Sequence, residues 1–233
     1  LDVYPLFITD DAQLVARGTC PEAPEFEFYG MSEEIRNAYS FQHGQLFTPG
    51  QNDACWEDAY ANIFTYNAVI NNVLKAADGT AAEREQLWAE ALVGRAFEYM
   101  NLVNLYGNHY GVPLVLSEEI KGEKYARASV EQIYQQIKSD LDKAVPKLAQ
   151  KTKYSFDPSQ SVGYAFLSRM YLYQGNYEKA LENARLSLQQ NDKLLDYKLY
   201  KAIQGQWGRL VLASDEGEAF PDEAKNIENV YTR

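Results

Sequence analysis

From residue 56 onward the apolar positions fall into step with the α-helical repeat. Trp56, Tyr60, Ile63, Asn67, Ile70 and Leu74 follow one another at intervals of 4, 3, 4, 3 and 4 residues, which places all six on one helical face. Gly79 closes that segment. Thr80, with Glu83 three residues later, is a capping box, in which each residue satisfies a backbone N–H near the other. The helix behind it repeats the spacing in Trp88, Leu92, Arg95, Tyr99, Leu102 and Tyr106. A second stripe through Leu87, Ala91 and Gly94 predicts packing on two sides. Glycine in mid-helix costs about 1 kcal/mol against alanine, so Gly94 predicts a close helix crossing. Gly107 ends the helix.

Residues 107 to 127 read as extended or looped chain. Ser129 and Gln132 form a second capping box, and Tyr134, Ile137, Leu141, Ala144 and Leu148 mark the helix that follows. Pro146 lacks an N–H and should kink or end it. Asp157 and Pro158 read as the cap and first position of another helix, running to Gly175, with a partner from about Tyr177 to Gln190. Tyr164, Leu167, Ser168, Tyr171, Gly175, Tyr177, Ala180 and Ala184 follow the tetratricopeptide pattern of a helical hairpin. Small residues at Ser168 and Ala180 let two helices approach, and Tyr171 fills the gap. The fold class is therefore mainly α, built of antiparallel hairpins over about 53–106 and 129–190, with irregular loops. The ends are less regular. A short helix is expected after Thr9, followed by irregular chain rich in aromatics. Beyond residue 191 the periodicity dissolves, until residues 226 to 231 read as an incipient strand.

Composition narrows the function. The 233 residues carry 33 acids against 22 Lys and Arg, for a net charge of −11. Such a surface repels phosphate backbones and anionic lipid surfaces, so nucleic-acid binding is not expected. No apolar stretch approaches the ~18 residues of a membrane span. The chain opens on Leu1, without a basic and apolar leader, so any export signal or lipid anchor is expected upstream. Cys20 and Cys55 read as two thiols, the alternative being a disulfide across the long loop between them. These cysteines with His43 and His109 make no metal-ligand spacing. No cofactor is implied, because phosphate-loop and dinucleotide fingerprints are both missing. No pair of acids stands in a glycosidase-like constellation, and there is no Gly-x-Ser-x-Gly. No catalytic residue is assigned, and an enzyme is not expected. The aromatic content, 18 Tyr, 10 Phe and 3 Trp, suits interfaces that are apolar on one side and wet on the other.

Four blocks together resemble the SusD/RagB family. They are the opening Leu-Asp-Val-Tyr-Pro; Trp56, Tyr60, Ile63 and Asn67; Glu90-Ala91, Arg95-Ala96-Phe97, Tyr99, Leu102-Val103 and Tyr106-Gly107, then Val112-Pro113-Leu114; and Ala126 to Val130 with Tyr134, Ile137, Asp140-Leu141 and Ala144. Asn108, His109 and Tyr110 depart from the pattern, standing where the family passes more directly from Tyr-Gly to Val-Pro-Leu. Family members are also longer. The resemblance implies that residues 1–233 form the N-terminal helical domain of such a protein, cut before a C-terminal half that carries much of the ligand surface.

By the same resemblance, such a protein is an outer-membrane, cell-surface lipoprotein. It captures oligosaccharides without catalysis and passes them to a SusC-type TonB-dependent transporter. RagB-like import of peptides is the variant, and a tetratricopeptide-type adaptor for protein segments is the alternative of another class. Sugar rings want aromatic platforms flanked by amides and acids, so Tyr39, Phe41, His43, Asn52 and Trp207 are the candidate ligand residues; the alternative for each is core or loop packing. Trp56, Tyr60, Asn67, Glu90, Arg95, Tyr99, Tyr171 and Ala180 are expected to be structural, with Glu90 and Arg95 anchoring a buried polar network.

Overall fold

The computed structural model describes residues 49–50, 52–119, 124–154, 157–194, 200–204, 210–214 and 219–220. Five helices dominate: α1 (Ala54–Asn72), α2 (Ala81–Tyr106), α3 (Val130–Ala144), α4 (Gln160–Tyr173) and α5 (Tyr177–Leu188). Single 3-10 turns, Val73–Lys75 and Val145–Lys147, extend α1 and α3. The described residues fall into two compact units, and the division lies within α1, between Asp58 and Ala59.

The helix boundaries follow local chemistry. Thr80 and Glu83 form a complete capping box at the start of α2, and Ser129 and Gln132 another at the start of α3. Helix α3 stops at Ala144, and the proline two residues on sits in the 3-10 turn, where a missing N–H does no harm. One start differs from the sequence reading. Helix α4 begins at Gln160 behind Ser159, not at Asp157-Pro158, and Ser159 makes no side-chain cap bond. The Gln160 N–H is taken instead by the Ala149 carbonyl, 2.9 Å away, and the Asp157 N–H by Tyr154. Ser159 is buried. A loop carbonyl from the preceding turn thus sets the start that the Asp-Pro pair signalled two residues too early.

The main core lies in the larger unit. Helix α2 supplies Leu92, Val93, Ala96, Tyr99, Met100 and Leu102, and α3 meets it with Ile133, Ile137 and Leu141. At Gly94 a Cβ would stand 2.3 Å from the Tyr66 ring of α1, so this glycine makes room for that ring; it does not bring two helix backbones close together, which is the crossing that the sequence predicts. Of the α1 stripe, Ile63 and Asn67 are buried, while Leu74, beyond the helix end, is exposed.

Helices α4 and α5 make a tight hairpin. Ser168 Oγ donates to the Ala180 carbonyl at 2.8 Å, and Ser161 and Ser187 bond each other's carbonyls at the far end. These contacts require small side chains at the crossing. The turn passes through Gly175 at φ 72°, with Asn176 capping α5. Tyr171 is buried, with Lys179 Nζ 5.3 Å over its ring. Ala180 is 7% exposed, so Ala180→Trp is expected to destabilise the protein by about 1–3 kcal/mol or more through overpacking. Urea denaturation tests it, and an unchanged midpoint would mean that the position has room.

The smaller unit holds an antiparallel sheet in the order β1 (Tyr200–Gln204), β2 (Leu210–Ser214), β3 (Ala219–Phe220). Tyr200 pairs with Ser214 and Gln204 with Leu210; Leu212 pairs with Phe220. The sequence shows no helical or strand period over these residues. Strands of two to five residues carry too few alternations to register as a period, and it is the cross-strand pairing that makes them. The expected helix after Thr9 and strand at 226–231 lie outside the described residues.

Candidate functional site

A buried polar network ties three helices together. Arg95 of α2 donates through Nε and Nη2 to the two carboxylate oxygens of Asp140 on α3, at 2.8 and 2.7 Å. Its Nη1 donates to Asn67 Oδ1 of α1 at 2.8 Å. Arg95 is 5% exposed, and Asp140 and Asn67 are 0% exposed. A bidentate pair of this kind is stronger and more directional than a single ion contact. Gln136 adds a third donor to Asp140 at 2.7 Å.

The network continues into an extended strap, residues 112 to 118. Asn67 Nδ2 donates to the carbonyls of Val115 and Ser117 at 3.0 and 3.3 Å. The Tyr99 hydroxyl accepts from Val115 N–H and donates to its carbonyl, at 2.7 and 2.8 Å. Tyr60 donates to the Pro113 carbonyl at 2.8 Å, and Asn71 reaches the Leu116 carbonyl and the Glu118 carboxylate. Side chains thus play the part that a neighbouring strand would play for these backbone groups. Burial, the main cause, pushes the Tyr99 phenol up to about 12, against the lowering effect of its Val115 bond. Burial also drives Tyr60 well up, so both phenols keep the proton they donate. Hydrogen bonds from Asn71 first, then from its own backbone and from Asn72, hold the half-buried Glu118 below its ordinary value.

Glu90 does not join this network. It stands five positions from Arg95, about 140° around the helix at 100° per residue, and so on a different face. Its carboxylate accepts from Gln86 at 2.7 Å, and the partner of Arg95 is Asp140. The signal for Asp140 lay in the sequence: a carboxylate beside Ile137, Leu141 and Ala144 on the buried face of α3. Desolvation raises Glu90 above its ordinary value of 4.5, Gln86 opposes this, and the charge of Asp157 adds to it. A raised folded-state value means that stability is lost as pH rises from the ordinary carboxylate range through the raised one. Glu90→Gln is therefore expected to be more stable than wild type at pH 7, with the difference vanishing as pH falls below 4.5. Melting curves of both proteins across that range check the sign; a gap that widens in acid would contradict it.

Of the candidate ligand residues, Tyr39, Phe41, His43 and Trp207 lie outside the described residues. Asn52 is exposed, and its amide donates to Glu57 at 2.7 Å. Trp56 is half-buried, its N–H on Asp53. Cys55 lies in the first turn of α1 and Cys20 outside the described residues. No candidate marks the open groove of about 900 Å³ where the end of α1 meets the start of α2, lined by Val73, Ala76, Arg84, Leu87 and Lys147. Among the described residues no three His, Cys, Asp or Glu side chains gather as a metal would require, and no helix is long and apolar enough to cross a membrane.

A mainly helical scaffold of repeat-like hairpins, with an extended strap pinned to its helices by buried tyrosine and asparagine side chains, defines the class. The profile of a SusD-like family, described as starch-binding and associating with the outer membrane, matches residues 18–172, and the chain belongs to that family. SusD-like protein P2 of Formosa agariphila is 27% identical over 195 residues, 82% of this chain and 36% of that protein. A SusD superfamily protein from Bacteroides thetaiotaomicron aligns at 28% identity and TM-score 0.55, over 61% of this chain and 34% of its own. A SusD-like carbohydrate-binding protein from Bacteroides vulgatus does so at 26% and 0.54, over 64% and 34%. The chain spans about a third of the length of each.

Proposed function

We propose that this chain is the helical part of a glycan-capture protein that acts without catalysis at the cell-surface face of the outer membrane. In this reading a lipid anchor upstream holds it there. It works as the partner of a SusC-type TonB-dependent transporter, to which it hands oligosaccharides. The observation that carries the reading is the family match over residues 18–172, and a relative of similar fold is itself described as carbohydrate-binding. The helices and the strap between them are the scaffold. Contacts to sugar are proposed in the aromatic segment of Tyr39, Phe41 and His43, with Asn52 and Trp207.

Calorimetry of the complete gene product and of this 233-residue chain, against starch, laminarin and xyloglucan oligosaccharides, tests the reading. The complete product should bind at least one glycan and release no reducing ends from it. The 233-residue chain should bind the same glycan more weakly, by about two orders of magnitude if two stacking faces are missing. Equal affinity in the two would place the whole site within residues 1–233. Binding of peptides in place of every glycan would favour RagB-like cargo.

A further inference from the structure

Between the end of α2 and the strap, the chain makes a turn whose three tip residues, Asn108, His109 and Tyr110, are all exposed. Tyr110 leaves 74% of its surface in solvent. An exposed tyrosine alone is commonplace; its mounting is not. The turn is closed by the Tyr110 N–H on the Gly107 carbonyl at 3.1 Å, and Gly107 N–H in turn caps α2 on Val103. Asn108 sits at φ 41°, a left-handed conformation that a non-glycine residue adopts at a cost. On the other side Gly111, at φ 63°, packs so closely that a Cβ would stand 2.1 Å from the Ala128 carbonyl. Arg127 Nη1 bonds the carbonyls of Gly111 and Tyr106 at 2.6 and 3.1 Å, and Ala128 N–H bonds Val112 at 2.9 Å. The tip is therefore held out from a base bonded on both flanks. From Gly107 to Ser117 the chain contains no Asp, Glu, Lys or Arg, in a protein of net charge −11.

We propose that the Asn108–His109–Tyr110 turn is a stacking site for a neutral sugar ring, a glycan contact carried by the helical scaffold itself and additional to the contacts proposed for Tyr39 and Phe41. It rests on the glycan-capture reading and adds a place to it. A pyranose presents polarised C–H groups on one face, which suit the negative face of a tyrosine ring. Its rim hydroxyls need both donors and acceptors, which the Asn108 amide and the His109 imidazole supply. Asn108 and Tyr110 carry no formal charge, and the Arg127 guanidinium at the base of the turn is bonded to the Tyr106 and Gly111 carbonyls. Because the base is rigid, little ordering opposes binding.

The test is calorimetry of the complete gene product with laminarihexaose, maltoheptaose and a xyloglucan oligosaccharide, for wild type, Tyr110→Ala and Tyr110→Phe. Tyr110→Ala should weaken the bound oligosaccharide about tenfold or more, the effect of losing one stacked ring. Tyr110→Phe keeps the ring and should stay within about twofold of wild type, a shift below one hydrogen bond's worth. Both variants should melt with wild type, since the side chain is in solvent. Binding by wild type with equal affinity in Tyr110→Ala overturns this site and leaves glycan capture standing. Equal losses in both variants overturn stacking in favour of a phenol hydrogen bond. Failure of wild type to bind any of the three oligosaccharides counts against glycan capture and this site together.

Discussion

Replacing Asp140 by alanine should remove about 3–5 kcal/mol of stability, the usual result of leaving one member of a buried ion pair without the other. The guanidinium of Arg95 would lose both oxygens of its bidentate partner in a site where Arg95 is 5% and Asp140 0% exposed. The effect should travel, because Arg95 also holds Asn67, and Asn67 holds the strap at Val115 and Ser117. Faster amide exchange at Val115 is expected alongside the lowered urea midpoint. The double variant Arg95→Met with Asp140→Leu removes both charges and should lose less than Asp140→Ala alone, since well-packed apolar replacements of buried pairs are often neutral or stabilising. A single variant within about 1 kcal/mol of wild type, the size of an exposed ion pair, would mean that solvent reaches the site.

Gly111→Ala should be the other large loss. Two separate costs meet there. The residue lies at φ 63°, where a side chain costs about 1–2 kcal/mol. Its Cβ would also press to 2.1 Å of the Ala128 carbonyl and 2.9 Å of the Val130 nitrogen, both backbone atoms, and overpacking typically adds about 1–3 kcal/mol. Together they predict a loss of about 2–5 kcal/mol. Gly175 is the internal control. Its φ is 72°, yet nothing lies within 4 Å of where an alanine methyl would stand, so Gly175→Ala should show the conformational cost alone, about 1–2 kcal/mol. Equal midpoints for the two variants would show that the backbone around Ala128 gives way freely.

Elements whose cause is local were legible in the sequence. Both capping boxes pair residues three apart, and both stand where Thr80-Glu83 and Ser129-Gln132 put them. The 4, 3, 4, 3, 4 stripe placed Leu92, Arg95, Tyr99 and Leu102 on one face of α2, and all four are buried. Gly94 read as a close crossing, but what lies against it is the Tyr66 ring, so the glycine makes room for a side chain and not for two closely spaced backbones. The α4–α5 hairpin followed from small residues at Ser168 and Ala180, which touch.

Tertiary structure decided whatever depends on residues far apart in the chain. The sequence showed Arg95 as a charge on a buried stripe but not which acid answers it; Glu90 was nearer, and Asp140, 45 positions away, is the partner. The start of α4 was decided by the Ala149 carbonyl, and the strap at 112–118 by hydroxyls and amides brought from α1 and α2. The sheet from Tyr200 to Phe220 is the same case, since its short strands are specified by one another. Periodicity and capping act over one or two helical turns and can be read along the chain. The choice of partner for a buried charge or an unpaired carbonyl is made only when desolvation forces each to find one, and that happens in three dimensions.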